Sequence, residues 1–326
     1  MDNFNTDMAD ERRDIYRKAN NLEDEIPGIE TENYTEGEDI KVSRVKIVSG
    51  EGERAIGKPM GTYVTIDIKK LKVAHEEEIE KASEVVTKEL KQLIEKHGTN
   101  KDDILVVGLG NIYVTPDALG PKVINEIDVT RHLLNYFPEY RDKISRPVSA
   151  VSPGVLGTTG IETLEIIKGI VDNINPKLLI VIDSLASKSI ERISSTVQMA
   201  DTGIVPGAGV YNARKELSVN TLGIPVIAIG VPMVVEAATI AADSLEILIN
   251  KIKDELQSCK GENCLSENDK IYESITTLLN QDKYEMIKEV LIPADYNLIV
   301  TPKEIDDLIE NMKDVVARGI NFSLQN

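Results

Sequence analysis

The chain has no tryptophan and only three phenylalanines in 326 residues. Without large aromatic faces it has little with which to build a stacking platform for nucleic-acid bases. Basic residues are outnumbered as well: 37 Lys and Arg face 55 Asp and Glu, a formal charge of −18. That balance excludes the basic stripe of a nucleic-acid-binding surface and keeps chains apart in solution. No apolar run reaches the ~18 residues of a membrane span. The opening residues, MDNFNTDMADERRD, are polar and acidic and do not read as a secretory signal. Two cysteines, Cys259 and Cys264, are separated by four residues with no histidine near them. Two thiols do not complete a zinc site, so they read as ordinary thiols in a reducing compartment, the cytoplasm. The histidines are His75, His97 and His132; the first two flank one amphipathic segment and the third lies within another. No metal and no cofactor is expected on these grounds.

What is present is a chain with 41% hydrophobic residues, enough for a substantial core. Its most informative stretch is Ile104 to Lys122, ILVVGLGNIYVTPDALGPK. Ile104–Val107 is an apolar β-branched run of the kind buried in parallel sheets. Gly108 and Gly110 stop it, Asn111 follows, and Thr115-Pro116 reads as the start of a helix. Asp117 then falls beside the C-terminal end of a strand, the edge where open α/β sheets bind ligands. Three readings compete. The glycines could serve only close packing, or form part of a dinucleotide loop, or bring a carboxylate to the strand end. The dinucleotide reading is weak because no third glycine completes G-x-G-x-x-G.

In chain order, residues 1–40 are rich in Asp, Glu, Asn and Thr and read as a flexible arm. Residues 41–326 read as a single α/β domain. It opens with a β-hairpin over 41–68, broken by Gly50, Gly52 and Gly57. Glu76–Lys96 has helical period, with Ile79, Ala82, Val86, Leu90 and Leu93 on one face. A helix is predicted over Asp117–Tyr136, a short strand over Arg146–Val151, and a helix over Ile161–Ile174 closed by Asn175-Pro176. Further buried strands are Leu178–Ile182, which delivers Asp183, and Pro225–Gly230, which leads through Pro232 into a helix over Met233–Leu256. Gly203–Gly209, which includes Gly207, is a flexible loop, and Ser258–Asn268 a polar linker. The helical C-terminal segment, 268–326, holds an isolated apolar run at Asn297–Val300 and a capping box at Thr301–Glu304. Strands alternating with helices predict a three-layer α/β/α fold on a mostly parallel sheet.

Asp117 and Asp183 each follow a buried strand and belong to one sheet edge. Two carboxylates held close together cannot both ionise cheaply, so the pair can share a proton. Such a pair can take a proton from water and return one to a leaving amine, the minimal chemistry of peptide hydrolysis. Against this stands the plainer reading that each Asp only caps a helix or binds a loop amide. A divalent-metal version lacks the histidine zinc usually wants. Ser184 has neither a G-x-S-x-G elbow nor a histidine partner and is read as a hydrogen-bonding residue.

Several long motifs, in order, resemble the germination protease (spore protease) family of endospore-forming bacteria. They are GLGNIYVTPDALGPKV, TRHLL (130–134), RPVSAVSPGVLGTTGIET (146–163), IVIDSLASKSIERI (180–193), DTGIVPGAGV (201–210), TLGIPVIAIGVP (221–232) and NLIVTPKEID (297–306). The G-x-G-N followed by Asp also looks, more distantly, like the hydrogenase maturation protease fold. The resemblance implies an endopeptidase of atypical aspartic type that degrades small acid-soluble spore proteins at germination, with Asp117 and Asp183 as its two aspartates. It also implies a self-processing zymogen, a homotetramer, and residence in the forespore or spore core. Family cleavage sites place an acidic residue before the cut, then an apolar residue, then Ala; Asp7-Met8-Ala9 matches, and a cut there releases the propeptide 1–7. Asp14-Ile15 ranks second because Tyr16 replaces the Ala. The resemblance makes Gly108, Gly110, Asn111 and Gly207 site-shaping loop residues. The chain departs from the family pattern at Ser184, where Ala is more usual, and at Val205, where some members have His. Two other classes stay open at this point: a metal-dependent maturation peptidase, and a spore-protein binding module that does not cut.

Overall fold

A computed structural model of the chain describes residues 6–69, 71, 75–98, 102–140, 142–207, 215–258, 287 and 298–325. Its strands are β1 (Ile29–Glu36), β2 (Ile40–Ile47), β3 (Gly61–Ile68), β4 (Ile104–Gly108), β5 (Val148–Val151), β6 (Leu178–Ala186), β7 (Thr196–Ala200), β8 (Val226–Glu236) and β9 (Ile299–Val300). The helices are α1 (Ala9–Ala19), α2 (Gly50–Ile56), α3 (Glu76–Glu95), α4 (Leu119–Ile124), α5 (Arg131–Tyr136) and α6 (Leu156–Thr159), followed by α7 (Thr163–Ile174), α8 (Val219–Leu222), α9 (Ala237–Ser258) and α10 (Ile305–Leu324).

The three apolar runs are β4, β6 and β8, side by side at the centre of a nine-stranded sheet of order β1-β2-β3-β7-β8-β6-β4-β5, with β9 paired to β8. Each is buried along its whole length except at Ser184. Alternate residues serve opposite faces. Ile104 and Val106 of β4 and Ile180 and Ile182 of β6 join the core formed with α3, α4 and α10. Leu105, Val107, Leu179 and Val181 join the core under α7. Val45, Ile47 and Tyr63 pack with Ala9 and Ile56 from α1 and α2. Helices therefore cover both faces.

The sheet corrects the mostly parallel expectation. Among the described residues only β4–β5, β4–β6 and β6–β8 pair in parallel; β1–β2, β2–β3, β3–β7, β7–β8 and β8–β9 are antiparallel. A parallel crossover needs a dozen or more residues, and the turn from β1 to β2 is far shorter, with Gly37 in the left-handed region. The expected hairpin over 41–68 is a three-stranded meander that starts at Ile29 and continues into the main sheet through β3–β7. Its supposed break is α2, capped by the Ser49 hydroxyl and closed by left-handed Gly57. Gly52 is needed there because a Cβ would lie 2.6 Å from the Gly28 carbonyl oxygen.

The flexible-arm expectation for 1–40 also needs correction. From Thr6 onward the arm is folded against the domain: Met8 and Ala9 are fully buried, α1 follows, and β1 is a sheet strand. Arg192 holds α1 through both oxygens of Asp10, at 2.9 and 2.6 Å. β8 runs past Pro232 to Glu236 rather than ending at Gly230. The pairing with β6 shifts at Leu185/Ala186, an irregularity that accommodates the proline. The helix predicted over 117–136 is a 3-10 turn, Thr115–Asp117, followed by α4 and α5. The Thr301 hydroxyl does not cap α10 but donates to the Met233 carbonyl at 3.0 Å. The linker after Ser258, both cysteines and the helical expectation for 270–286 lie outside the described residues.

Candidate active site

Asp117 reaches the sheet edge because glycines let backbone meet backbone. A Cβ on Gly108 would lie 2.2 Å from the Gly120 carbonyl oxygen, and one on Gly120 2.2 Å from that of Leu109. α4 therefore starts directly on the end of β4. Gly110, at φ +112°, leaves room for the Asp117 carbonyl, which a Cβ would meet at 2.0 Å. The loop between them is closed by hydrogen bonds. Asn111 N–H donates to the Asp117 carbonyl oxygen at 3.0 Å and to its Oδ2 at 2.8 Å. Asp117 N–H donates to the Val114 carbonyl at 2.8 Å. Asp183 lies within the long strand β6, is 5% exposed, and accepts from the Ser184 N–H at 2.9 Å.

Both carboxylates line one cleft of about 430 Å³, together with Gly110, Asn111, Ser184, Gly207 and Asp7. Gly108 stands behind it as packing, and Met8 is buried beside it. Burial raises the Asp183 carboxyl well above the ordinary range, and the Asp117 and Asp7 charges raise it further. Burial also raises Asp117, opposed by the Asn111 N–H. A pair raised on both sides holds a proton at a pH where free aspartates have lost theirs. The Ser184 hydroxyl is buried at the cleft with no hydrogen-bond partner among the described residues. Among the described residues no group of three or more His, Cys, Asp or Glu is placed to hold a metal ion.

Three features escaped the sequence reading. Asp7 is not on a free arm; it is docked in the cleft. Its N–H donates to the Ala186 carbonyl at 3.0 Å, and its Oδ2 accepts from the Ala186 N–H at 3.1 Å. Gln198 of β7 bonds both the Asp7 carbonyl and the Ala9 N–H. The third is an adjoining cavity of about 210 Å³, lined by Arg12, Lys58 and Tyr63 as well as Asp7. The Asp7 charge favours the charged forms of Arg12 and Lys58, against their burial. The alternation Thr196-Val197-Gln198-Met199-Ala200 was the available signal for β7.

Comparison with known proteins identifies the family. The sequence profile of germination proteases matches residues 5–266 and 262–326. The germination protease of Clostridium acetobutylicum is 45% identical over 326 residues, covering 100% of this chain and 96% of its own. That of Caldanaerobacter subterraneus subsp. tengcongensis is 48% identical, covering 98% and 94%, and that of Priestia megaterium 43% identical, covering 98% and 93%. Among solved structures, the [NiFe] hydrogenase maturation protease HycI from Thermococcus kodakarensis aligns with 43% of this chain and 80% of its own at 18% identity and a TM-score of 0.27, too slight a likeness to argue from. With relatives matched over nearly their whole length, the chain is a peptidase and belongs to the germination protease family.

Proposed function

We propose that the protein is an endopeptidase which opens the degradation of small acid-soluble spore proteins at germination, and that Asp117 and Asp183 activate the attacking water. One observation carries this reading: the acidic residue that would precede the propeptide cut, Asp7, is docked in the cleft that the two carboxylates line. One carboxylate of the pair takes a proton from water as it attacks the peptide carbonyl. The pair then returns a proton to the leaving amine. The arm matches the acidic–apolar–Ala preference residue by residue. Asp7 has the Ala186 N–H for its carboxylate, and Met8 and Ala9 are fully buried. A zymogen with Asp7 docked in the cleft would be blocked to other substrates until residues 1–7 leave. The homotetramer rests on resemblance, and light scattering of the full chain should give the mass of four chains. The forespore or spore core is the compartment that goes with the substrate.

The test is intact mass against time at mildly acidic pH, with and without chelator. Wild type should lose residues 1–7 regardless of chelator. Asp117→Asn and Asp183→Asn should slow that loss by roughly 10²–10⁴-fold, the usual contribution of general acid–base groups. Mutants that process at the wild-type rate would remove the aspartate pair from the mechanism, and a block by chelator alone would favour the metal-dependent alternative.

A further inference from the structure

We infer that Gln198 is a further catalytic residue, the donor that polarises the carbonyl of the bond to be cut. The inference rests on the reading of Asp7–Met8 as that bond. Gln198 is 7% exposed on β7. Its Nε2 donates to the Asp7 carbonyl oxygen at 3.1 Å, and its Oε1 accepts from the Ala9 N–H at 2.7 Å, both within buried surroundings. One side-chain amide thus spans the bond, touching its acyl oxygen and the amide two residues on. The second contact fixes the first. With Oε1 committed to an N–H, the group turned toward the Asp7 carbonyl is the NH₂.

The sheet puts this amide opposite the carboxylates. Gly230 of β8 pairs with Asp183 on one side and with Gln198 on the other. Residues in register project from the same face, so Asp183 and Gln198 stand on one face, two strand spacings or roughly 10 Å apart. The position between them has no side chain. That absence makes room for Leu185, whose Cδ1 a Cβ on Gly230 would meet at 2.3 Å. Asp7, Leu185, Gln198 and Gly230 line one cavity. Asp7 and Leu185 also line the cleft of the two carboxylates, so the peptide passes Leu185 with the acidic pair toward one side and the amide donor on the other.

The chemistry needs such a donor. When water adds, its oxygen bonds to the carbonyl carbon, its proton passes to the aspartate pair, and the carbonyl oxygen takes up negative charge. The C–N bond then breaks, and a proton from the pair goes to the Met8 nitrogen. A fixed N–H aimed at that oxygen binds the charged intermediate more tightly than the neutral carbonyl, and losing one such donor typically lowers the rate by about 10²–10³-fold. Once residues 1–7 have left, the same amide is placed to meet the carbonyl of an acidic residue in a separate substrate.

The experiment follows intact mass of the full chain against time for wild type, Gln198→Ala, Gln198→Glu and Asp117→Asn, with hydrogen exchange of α1 measured alongside. Gln198→Glu keeps the shape and the acceptor for Ala9 but loses the donor when ionised. It should slow release of residues 1–7 by about 10²–10³-fold at neutral pH while α1 stays protected. It should recover toward the wild-type rate as falling pH protonates the new carboxyl. Gln198→Ala should be slow at every pH. Processing of both variants within threefold of wild type would overturn the inference. So would slowing accompanied by loss of α1 protection, which would make Gln198 only a strap for the arm. If instead Asp117→Asn keeps pace with wild type, or wild type is not cut after Asp7, the same traces show that the underlying reading has failed.

Discussion

At the scale of single residues, the site is held in a state that costs stability. Asp183 is buried beside other carboxylates, and its pKa is raised in the fold. A carboxyl raised on folding stabilises the native state fully only below its unfolded pKa of about 3.9. That contribution is lost as pH rises through the higher folded value. At neutral pH the wild-type Asp183 therefore weighs against folding. Asp183→Asn preserves the oxygen that accepts from the Ser184 N–H and removes the titration. It should raise the melting temperature at pH 7, by roughly 2 °C for each kcal/mol recovered, with the gain shrinking to nothing toward pH 3. Calorimetry across that range checks it, and a gain independent of pH would point to packing instead of charge. Asp183 was legible because it follows an unbroken apolar strand. Gln198 was not, since it sits in the five-residue strand β7, which opens within a run of hydroxyl residues, Ser194-Ser195-Thr196, with no Gly or Pro to set it apart. The docking of Asp7 depends on a contact across 179 residues to Ala186, which no local pattern records.

At the scale of elements, periodicity served well where one face was apolar and the segment long. α3 and α7 appear close to where the spacing puts them, and α7 ends at left-handed Asn175, φ 50°. It failed where tertiary contacts overrode a local rule, as at Pro232 inside β8 and at the two glycines inside α2. Gly319 in α10 is a related case. Gly to Ala in a helix interior ordinarily gains about 0.5–1 kcal/mol. Here a Cβ would stand 2.4 Å from Val86 Cγ1 and 2.9 Å from Val86 Cβ, on the facing helix α3. Overpacking of that kind typically costs about 1–3 kcal/mol, so the clash outweighs the propensity. Gly319→Ala should lower stability in a urea titration, and adding Val86→Ala, which removes the obstructing methyls, should recover part of the loss relative to Val86→Ala alone. A stabilised Gly319→Ala would show that the two helices separate without penalty.

At the scale of the whole molecule, the sequence made the C-terminal helix look like part of a trailing segment, because polar residues before it mark a linker. The fold makes it a wall of the main core. α10 buries Ile305, Leu308, Ile309, Met312, Val315, Val316, Ile320 and Leu324, and most of these join the cluster that holds Ile104, Val106, Ile180 and Ile182 of the central strands. At about 1.5–3 kcal/mol for each large apolar side chain, the helix contributes roughly 12–24 kcal/mol of burial before chain entropy is subtracted. That is as large as the ~5–15 kcal/mol net stability of an ordinary domain. The helix also bears on the site. Lys122 of α4 pairs with Glu310 of α10, and α4 is the element whose start places the Asp117 loop on β4. A chain ending at Glu304 should therefore fail to form the core, appear mainly in the insoluble fraction, and show neither a cooperative melt nor processing after Asp7. A soluble truncated chain that melts cooperatively and still releases residues 1–7 would mean that the sheet keeps its carboxylates in place without α10.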